Sequence, residues 1–190
     1  MPRLVLGSTS PRRLALMREM GLTFEVIPPD ADESAPEGCS PEGTAIMLAT
    51  RKARSVAAGL DSGLVVGADT LVALGDEIIG KPQDRRHAVE ILRKLTRSPH
   101  RVITGVCIID AADGTERADA ESTRVTMRPM SEEEIAAYVD SGEAMGKAGA
   151  YAIQETGDRF VEHIEGSLSN VVGLPCELLE RMLKECGYKR

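Results

Sequence analysis

The sequence predicts an α/β protein whose mixed, twisted sheet is flanked by helices. Helix-like and strand-like segments alternate through the first half of the chain, an order that favours parallel strands. Asp113-Gly114 separates two long strand-like segments and has the composition of a hairpin turn, which joins antiparallel strands. Both kinds of strand pairing are therefore expected in one sheet.

The first helix has the clearest boundaries. Residues 4–6 form a short apolar strand that ends at Gly7. Ser10 then supplies an N-cap, Pro11 suits the first helical position, and Gly21 lies just past the helix end. The elements that follow are a strand over 23–27, a loop over 28–41, a helix over 42–60, a buried strand over 64–74 and a short strand over 78–79.

The second half is predicted from hydrophobic periodicity and from one capping pattern. Ser131 precedes Glu134 by three residues, which is the pattern of a capping box at the start of a helix. The predicted elements are a helix over 84–95, strands over 101–110 and 115–127, a helix that begins after Ser131 and an amphipathic helix over 174–186.

Composition excludes several classes of protein. The 190 residues include 23 basic and 30 acidic side chains, for a net charge of −7, and only 3% are aromatic. General nucleic-acid binding is not expected, because it needs a basic track and aromatic stacking platforms. No apolar run reaches the roughly 18 residues that span a bilayer, and no signal peptide is recognisable, so a cytoplasmic protein without membrane association is expected. The four cysteines lack metal-site spacing and are expected to be free, buried thiols.

Arg12 and Arg13 stand against local preference in the first turn of the first helix. A helix N-terminus carries about half a positive charge, so two arginines there are unfavourable unless an anion binds. The preceding loop, Gly7-Ser8-Thr9-Ser10, follows a strand and combines small residues with hydroxyl donors, which is the layout of a phosphate cradle. It matches neither a Walker loop nor a G-x-G-x-x-G motif. The alternative is a pair of solvated surface arginines.

Lys52 and Asp69 are charged residues within apolar segments. Steps of 100° per residue along the second helix place Lys52 on the same face as Leu48 and Ala53. Its ammonium either reaches the rim of the core or meets a negative partner, because burial of an unpaired ammonium is costly. Asp69 interrupts a buried strand, so it is either a functional carboxylate, paired or metal-bound, or a structural hydrogen-bond anchor.

These charges together suit a polyphosphate. Lys81, within Gly80-Lys81-Pro82, places another ammonium after a short strand, and the acidic loop over 30–33 can supply a second carboxylate. Cations suit phosphates, whereas two carboxylates suit Mg²⁺ or Mn²⁺, which retain several waters. The residues by themselves predict metal-assisted chemistry on a polyphosphate and no more than that.

Several separated segments form an ordered set of motifs. They are Leu-Gly-Ser-Thr-Ser-Pro-Arg-Arg at 6–13, Asp-Glu at 32–33, Arg-Lys-Ala at 51–53, Gly-Ala-Asp-Thr at 67–70, Gly-Lys-Pro at 80–82 and the block 149–175. Over nearly the whole chain these segments resemble the Maf family of nucleoside triphosphate pyrophosphatases. The resemblance implies an elongated fold similar to that of inosine triphosphatase, with residues 1–190 as a single domain that has two lobes and a central cleft. It also implies hydrolysis between the α- and β-phosphates, which yields a nucleoside monophosphate and pyrophosphate.

The same resemblance implies roles for individual residues. Asp69 is expected to be the catalytic carboxylate that accepts a proton from the attacking water. Glu33 and Asp69 are expected to bind a divalent metal, either Mg²⁺ or Mn²⁺. The residues expected to bind the triphosphate are Ser8, Arg13, Lys52 and Lys81.

Base preference is expected to follow Arg12, Thr70 and Gln154. The segment that ends at Gln154 resembles the branch of the family that hydrolyses dTTP and UTP, and an amide can both donate to and accept from the edge of uracil or thymine. Two departures lie near this segment and bear on base preference. Glu155 replaces a common glycine, and Leu168 replaces a common aromatic residue.

Two other functions stay open from the sequence. One is hydrolysis of 7-methyl-GTP or another modified nucleotide, and the other is a nucleotide-binding regulator of septum formation that lacks turnover. A pure sensor needs the cations but not a carboxylate placed for catalysis. The resemblance also implies a homodimer, and the expected partner is a small nucleotide.

Overall fold

A mixed α/β fold is present in the computed structural model, which describes residues 3–35, 38–153 and 156–189. The elements are β1 (Leu4–Gly7), α1 (Pro11–Glu19), β2 (Glu25–Val26), α2 (Pro41–Ala57), β3 (Leu64–Leu74), β4 (Glu77–Ile79), α3 (Arg85–Leu95), β5 (His100–Asp110), β6 (Glu116–Met127), α4 (Glu132–Asp140), β7 (Val161–Glu165), α5 (Leu168–Val172) and α6 (Cys176–Glu185). The predicted fold class is confirmed. Strand β7 and helix α5 are additions to the predicted elements.

The described strands form one seven-stranded sheet in the order β2-β1-β3-β5-β6-β7, and β4 pairs with β3. Strand β1 is parallel to β2 and to β3, with Gly7 opposite Gly67. The pairs β3 with β4 and β6 with β7 are antiparallel, so the predicted mixture of directions is confirmed. Because Gly7 pairs with Gly67, the loop after β1 begins level with the part of β3 that carries Asp69.

Side-chain caps fix the starts of three helices. Ser40 and Asp84 accept hydrogen bonds from backbone amides in the first turns of α2 and α3. Ser131 and Glu134 form the predicted capping box of α4. Each cap satisfies an amide that the helix itself leaves without a partner, which contributes about 1 kcal/mol.

The chain divides into two compact units, of which the first contains the residues up to Thr70, Thr104–Glu121 and the chain from Gly173 onward. Its core packs α2 on the strands through small and branched side chains. This cluster consists of Val5, Ala49, Ala53, Val56, Val65, Cys107 and Ile109. Small residues dominate the helix side, so α2 lies close to the sheet.

Gly67 is the point of closest approach between α2 and β3. A Cβ atom at this position would lie 2.7 Å from the Ala53 nitrogen and nearer still to the Ala49 oxygen. Backbone atoms cannot yield as a flexible side chain does, so glycine alone fits without a shift of the helix. Lys52 lies between these two alanines, and its depth is therefore set by this backbone contact.

The second unit contains Leu71–Ile103 and Ser122–Val172. Its core includes α3, α4 and the residues around Phe160, whose ring meets that of Tyr138 edge to face with centroids 5.2 Å apart. The single domain over 1–190 with two lobes and a central cleft stays a prediction.

All four cysteines are free thiols, as expected, and Cys107 is fully buried. The expected burial is wrong for the other three, because Cys39 is exposed and Cys176 and Cys186 are half-buried. Burial raises the pKa of the Cys107 thiol, because the charged thiolate form loses its water. Among the helices of the described ranges, none has the length and apolar character that a membrane span requires.

Candidate active site

The loop between β1 and α1 places a buried hydroxyl beside the helix start. Ser8 is 4% exposed, and its Oγ accepts hydrogen bonds from the Ser10 amide at 3.2 Å and from Nη1 of Arg13 at 3.3 Å. The first turn of α1 contains Arg12 and Arg13 and no acidic residue. The predicted cradle is thus a region of positive charge with donors directed inward.

The Arg13 guanidinium joins three separate segments of the chain. Besides Ser8, it donates from Nε to the Gly173 carbonyl and from Nη2 to Thr70 Oγ1, both at 2.9 Å. Gly173 has φ of +131°, which glycine adopts without strain and other residues rarely adopt. Toward the described residues, Nη1 and Nη2 each keep one N–H group that is not used by the protein.

The Thr70 hydroxyl is the centre of a small hydrogen-bond network. Its Oγ1 lies 2.9 Å from Thr104 Oγ1 and 3.2 Å from the Gly173 carbonyl, in addition to the bond from Arg13. Since a carbonyl only accepts, Thr70 gives its proton to Gly173 and accepts from Thr104 and Arg13. The Thr70 hydroxyl therefore donates one hydrogen bond and accepts two. Because one of the accepted bonds comes from Arg13, this network fixes the position of the Arg13 guanidinium.

Lys52 is 8% exposed and ends at two carboxylates. Its Nζ lies 2.6 Å from Oδ1 of Asp69 and 2.8 Å from Oε1 of Glu33. Of the two interpretations from the sequence, a buried ammonium with negative partners is the one observed. Asp69 is accordingly paired, and its side chain is 16% exposed, whereas that of Glu33 is 63% exposed.

The charge of Arg13 interacts with the same two carboxylates that bind Lys52. Burial lowers the pKa of Arg13 below its usual value, the carboxylates of Asp69 and Glu33 raise it, and the neighbouring charge of Arg12 lowers it. An arginine stays protonated under these conditions, so the site holds permanent positive charge beside two carboxylates.

The remaining predicted residues have separate positions. Arg12 is half-buried in the first turn of α1, and Lys81 is exposed after β4 in the second unit. Gln154 and Glu155 lie outside the described residues, and Leu168 is exposed at the start of α5. The phosphate role of Lys81 and the specificity roles of Arg12 and Gln154 stay predictions.

The donor set fits a hard divalent ion. Glu33 and Asp69 each place one carboxylate oxygen within 2.8 Å of the same ammonium, so both carboxylates face one positive charge. In the part of the chain that the structure describes, no cluster of three or more His, Cys, Asp or Glu side chains is present. Mg²⁺ commonly uses one or two carboxylates and completes its shell with water and phosphate oxygens, so a two-carboxylate set suffices.

Comparison with known proteins identifies the family. The family model described as Maf-like protein matches residues 3–186. The chain belongs to the Maf family. Relatives named dTTP/UTP pyrophosphatase occur in Pelotomaculum thermopropionicum, at 46% identity over 99% of this chain and 98% of the relative, and in Ruminiclostridium cellulolyticum, at 44% over 100% and 98%. A third relative with that name, from Anaeromyxobacter dehalogenans, is 43% identical over 98% of this chain and 95% of its own length.

Two contributors to this Maf site were missed by the sequence interpretation. Thr104 is fully buried on β5, where a threonine among apolar residues is a weak signal because threonine is a favoured strand residue. The carbonyl of Gly173 carries no side-chain signal, although its left-handed φ is typical of a required glycine.

Proposed function

We propose that this chain is a metal-dependent pyrophosphatase that hydrolyses dTTP and UTP to the nucleoside monophosphate and pyrophosphate. The observation that carries the proposal is the placement of Lys52 between Asp69 and Glu33, beside the guanidinium of Arg13. Near full-length similarity to relatives named for this activity supports it.

The triphosphate is bound by positive charge and by preformed donors. Arg13 uses its unoccupied N–H groups on Nη1 and Nη2 for phosphate oxygens, and Lys52 uses the third N–H of its ammonium. Ser8 holds Arg13 in place, and Lys81 is proposed as a further phosphate ligand. Donors held by other protein groups lose little entropy when substrate binds, which favours reaction.

Asp69 is the proposed base. Lys52 occupies Oδ1, so Oδ2 is the oxygen that accepts the proton of the attacking water. The bond that breaks joins the α- and β-phosphates, and the negative charge that moves onto the pyrophosphate is stabilised by Arg13 and Lys52.

Glu33 and Asp69 are the residues proposed to hold the divalent ion. When bound, Mg²⁺ or Mn²⁺ would neutralise charge on the phosphate oxygens. We expect chelation with EDTA to abolish pyrophosphate release and added Mg²⁺ or Mn²⁺ to restore it. Activity that persists in EDTA would exclude metal dependence.

Base recognition is proposed for Arg12 and Gln154. The resemblance also associates Thr70 with base preference, but its hydroxyl is engaged by Arg13, Thr104 and Gly173. We therefore assign Thr70 an indirect role, in which it holds Arg13 against the substrate. A direct contact with the base would require it to release one of these partners.

A substrate panel tests the proposed function. Purified protein is incubated with Mg²⁺ and each of dTTP, UTP, 7-methyl-GTP and the other common nucleoside triphosphates, and pyrophosphate is measured. Highest kcat/KM for dTTP and UTP is expected. Preference for 7-methyl-GTP would support the modified-nucleotide alternative, and nucleotide binding without any pyrophosphate release would support the regulatory one.

The proposal also includes a homodimer and a cytoplasmic location. Light scattering during size-exclusion chromatography distinguishes a dimer from a monomer of 20.4 kDa. Fractionation of cells that produce the protein tests its location.

A further inference from the structure

The segment that carries Glu33 has no regular structure, yet its carboxylate reaches one particular ammonium. Residues 31–35 are in neither helix nor strand, and the Glu33 side chain is largely exposed. Two side chains of α2 contact this segment.

Arg51 provides long-range hydrogen bonds to the segment. Its Nη1 donates to the Ser34 carbonyl at 2.9 Å and lies 3.4 Å from the Asp32 carbonyl. These two carbonyls flank Glu33 on either side. The Asp32 carboxylate, 3.5 Å from the same nitrogen, accepts further bonds from the Ser34 hydroxyl at 2.6 Å and from the Ser34 amide at 2.8 Å.

The Asp32 carboxylate binds Ser34 within the segment and Arg51 outside it. Hydrogen bonds to the residues on both sides of Glu33 restrict the backbone from which its side chain extends.

Arg51 immediately precedes Lys52 on α2, so two successive residues of one helix contact the same segment. Lys52 binds the Glu33 carboxylate, while Arg51 binds the backbone on both sides of it. We propose that Arg51 is a positioning residue that directs Glu33 toward Lys52 and Asp69. This inference rests on the proposed function, in which Glu33 and Asp69 bind the divalent ion.

The test compares two arginines of the same helix. Arg51→Ala removes the contacts to the Glu33 segment, and Arg51→Lys retains the charge without the planar guanidinium. Arg54→Ala is the matched control, because it removes an arginine of α2 whose ion pair is with Glu116 instead. All variants are prepared as the full chain.

The first readout is metal affinity, measured as the loss of the free Mn²⁺ signal in electron paramagnetic resonance with a non-hydrolysable dTTP analogue present. Arg51→Ala is expected to weaken Mn²⁺ binding about tenfold, as loss of a group that orients a metal ligand does. Arg51→Lys is expected to weaken it less, and Arg54→Ala is expected to bind as the wild type does. Equal Mn²⁺ affinities in Arg51→Ala and Arg54→Ala would overturn the inference. If Arg51→Ala does not fold, Arg51→Lys is compared with Arg54→Ala instead.

The second readout is additivity. If Arg51 acts through Glu33, the double variant Arg51→Ala with Glu33→Gln binds Mn²⁺ as Glu33→Gln alone does. Additive losses would show that Arg51 acts by another route and would contradict the inference.

Hydrogen exchange separates this inference from the proposed function. Amides of residues 32–35 are expected to exchange faster in Arg51→Ala than in Arg54→Ala. A wild type that neither binds Mn²⁺ nor releases pyrophosphate would refute the proposed function, and the exchange rates alone would then decide whether Arg51 holds the segment. Unchanged exchange in Arg51→Ala would refute the positioning role.

Discussion

Lys52 donates a hydrogen bond from Nζ to Oδ1 of Asp69 at 2.6 Å. Each residue violates the local pattern of its own element, because one is a lysine on the buried face of α2 and the other an aspartate within β3. The ion pair explains how both residues are tolerated, since each charge is the partner that the other needs. Loss of Lys52 removes this hydrogen-bond donor from Asp69, whereas loss of Asp69 leaves Lys52 with the Glu33 carboxylate.

Asp69→Asn is expected to lower kcat at least about 100-fold while nucleotide binding changes little. The amide has nearly the same shape and still accepts a hydrogen bond from Lys52, but it cannot take a proton from water. Steady-state kinetics with dTTP and calorimetric binding of a non-hydrolysable analogue measure the two effects. Asp119→Asn, which removes an exposed partner of Arg181, is the control, and near-normal turnover in Asp69→Asn would reject Asp69 as the base.

Thr70→Val is expected to raise the KM for dTTP and for UTP by the same factor, about tenfold, because Arg13 loses one of its protein acceptors. Thr70→Ser retains the hydroxyl and is expected to behave nearly as the wild type. The measurement is the ratio of kcat/KM values for the two nucleotides and for 7-methyl-GTP. A large change in this ratio would instead support direct contact between Thr70 and the base.

Gly67→Ala is expected to destabilise the protein by about 1–3 kcal/mol and to reduce activity, because the added methyl group displaces α2 and with it Lys52. Gly59→Ala is the control, since a Cβ there has its nearest neighbour at 3.7 Å. Urea unfolding followed by circular dichroism gives the free energies. Equal stability of the two variants would contradict the close contact between α2 and β3.

Stability is expected to fall as pH decreases from 6.5 toward 4, because burial lowers the pKa of His100 from 6.5 to about 4. In this range the unfolded chain binds a proton that the folded protein does not, so acid favours unfolding by about 2–3 kcal/mol at the lower limit. His100 is 1% exposed, and its Nε2 lies 2.7 Å from the Tyr151 hydroxyl.

Urea unfolding of wild type and His100→Gln between pH 6.5 and 4.5 measures this contribution. Hydrogen bonds to Arg128 and to the Ser131 amide lower the pKa of Glu134 to about 2. The pH range of the measurement ends above this value. His163→Gln, which alters an exposed histidine, is the control variant. An identical pH dependence in His100→Gln would show that His100 binds protons equally in the folded and unfolded states, which contradicts the prediction.

The longer elements could be predicted from the sequence because their signals repeat. Strand β3 has the predicted bounds, and α3 begins one residue after its predicted start at residue 84. Strand β7 was missed because charged residues occupy much of it and most of its side chains are exposed. Helix α5 has five residues, too few for a helical period to repeat.

The sequence predicts which residues belong to the site but not how these residues contact one another. Lys52 and Asp69 each violate a local rule, which is visible in the sequence, whereas their pairing depends on how α2 lies on the sheet. Thr104 and Arg51 violate no local rule, because threonine suits a strand and arginine suits an exposed helix surface. Their contributions are visible only once the neighbouring segments are in place.

The bond between Arg13 and the Gly173 carbonyl joins residues 160 positions apart, and this has a consequence for biosynthesis. A ribosome translates Gly173 160 codons after Arg13. Until then the nascent chain holds a guanidinium without this acceptor, so this contact forms only after the intervening chain has been made. A product released before codon 173 lacks the carbonyl entirely, however well its amino-terminal strands pair.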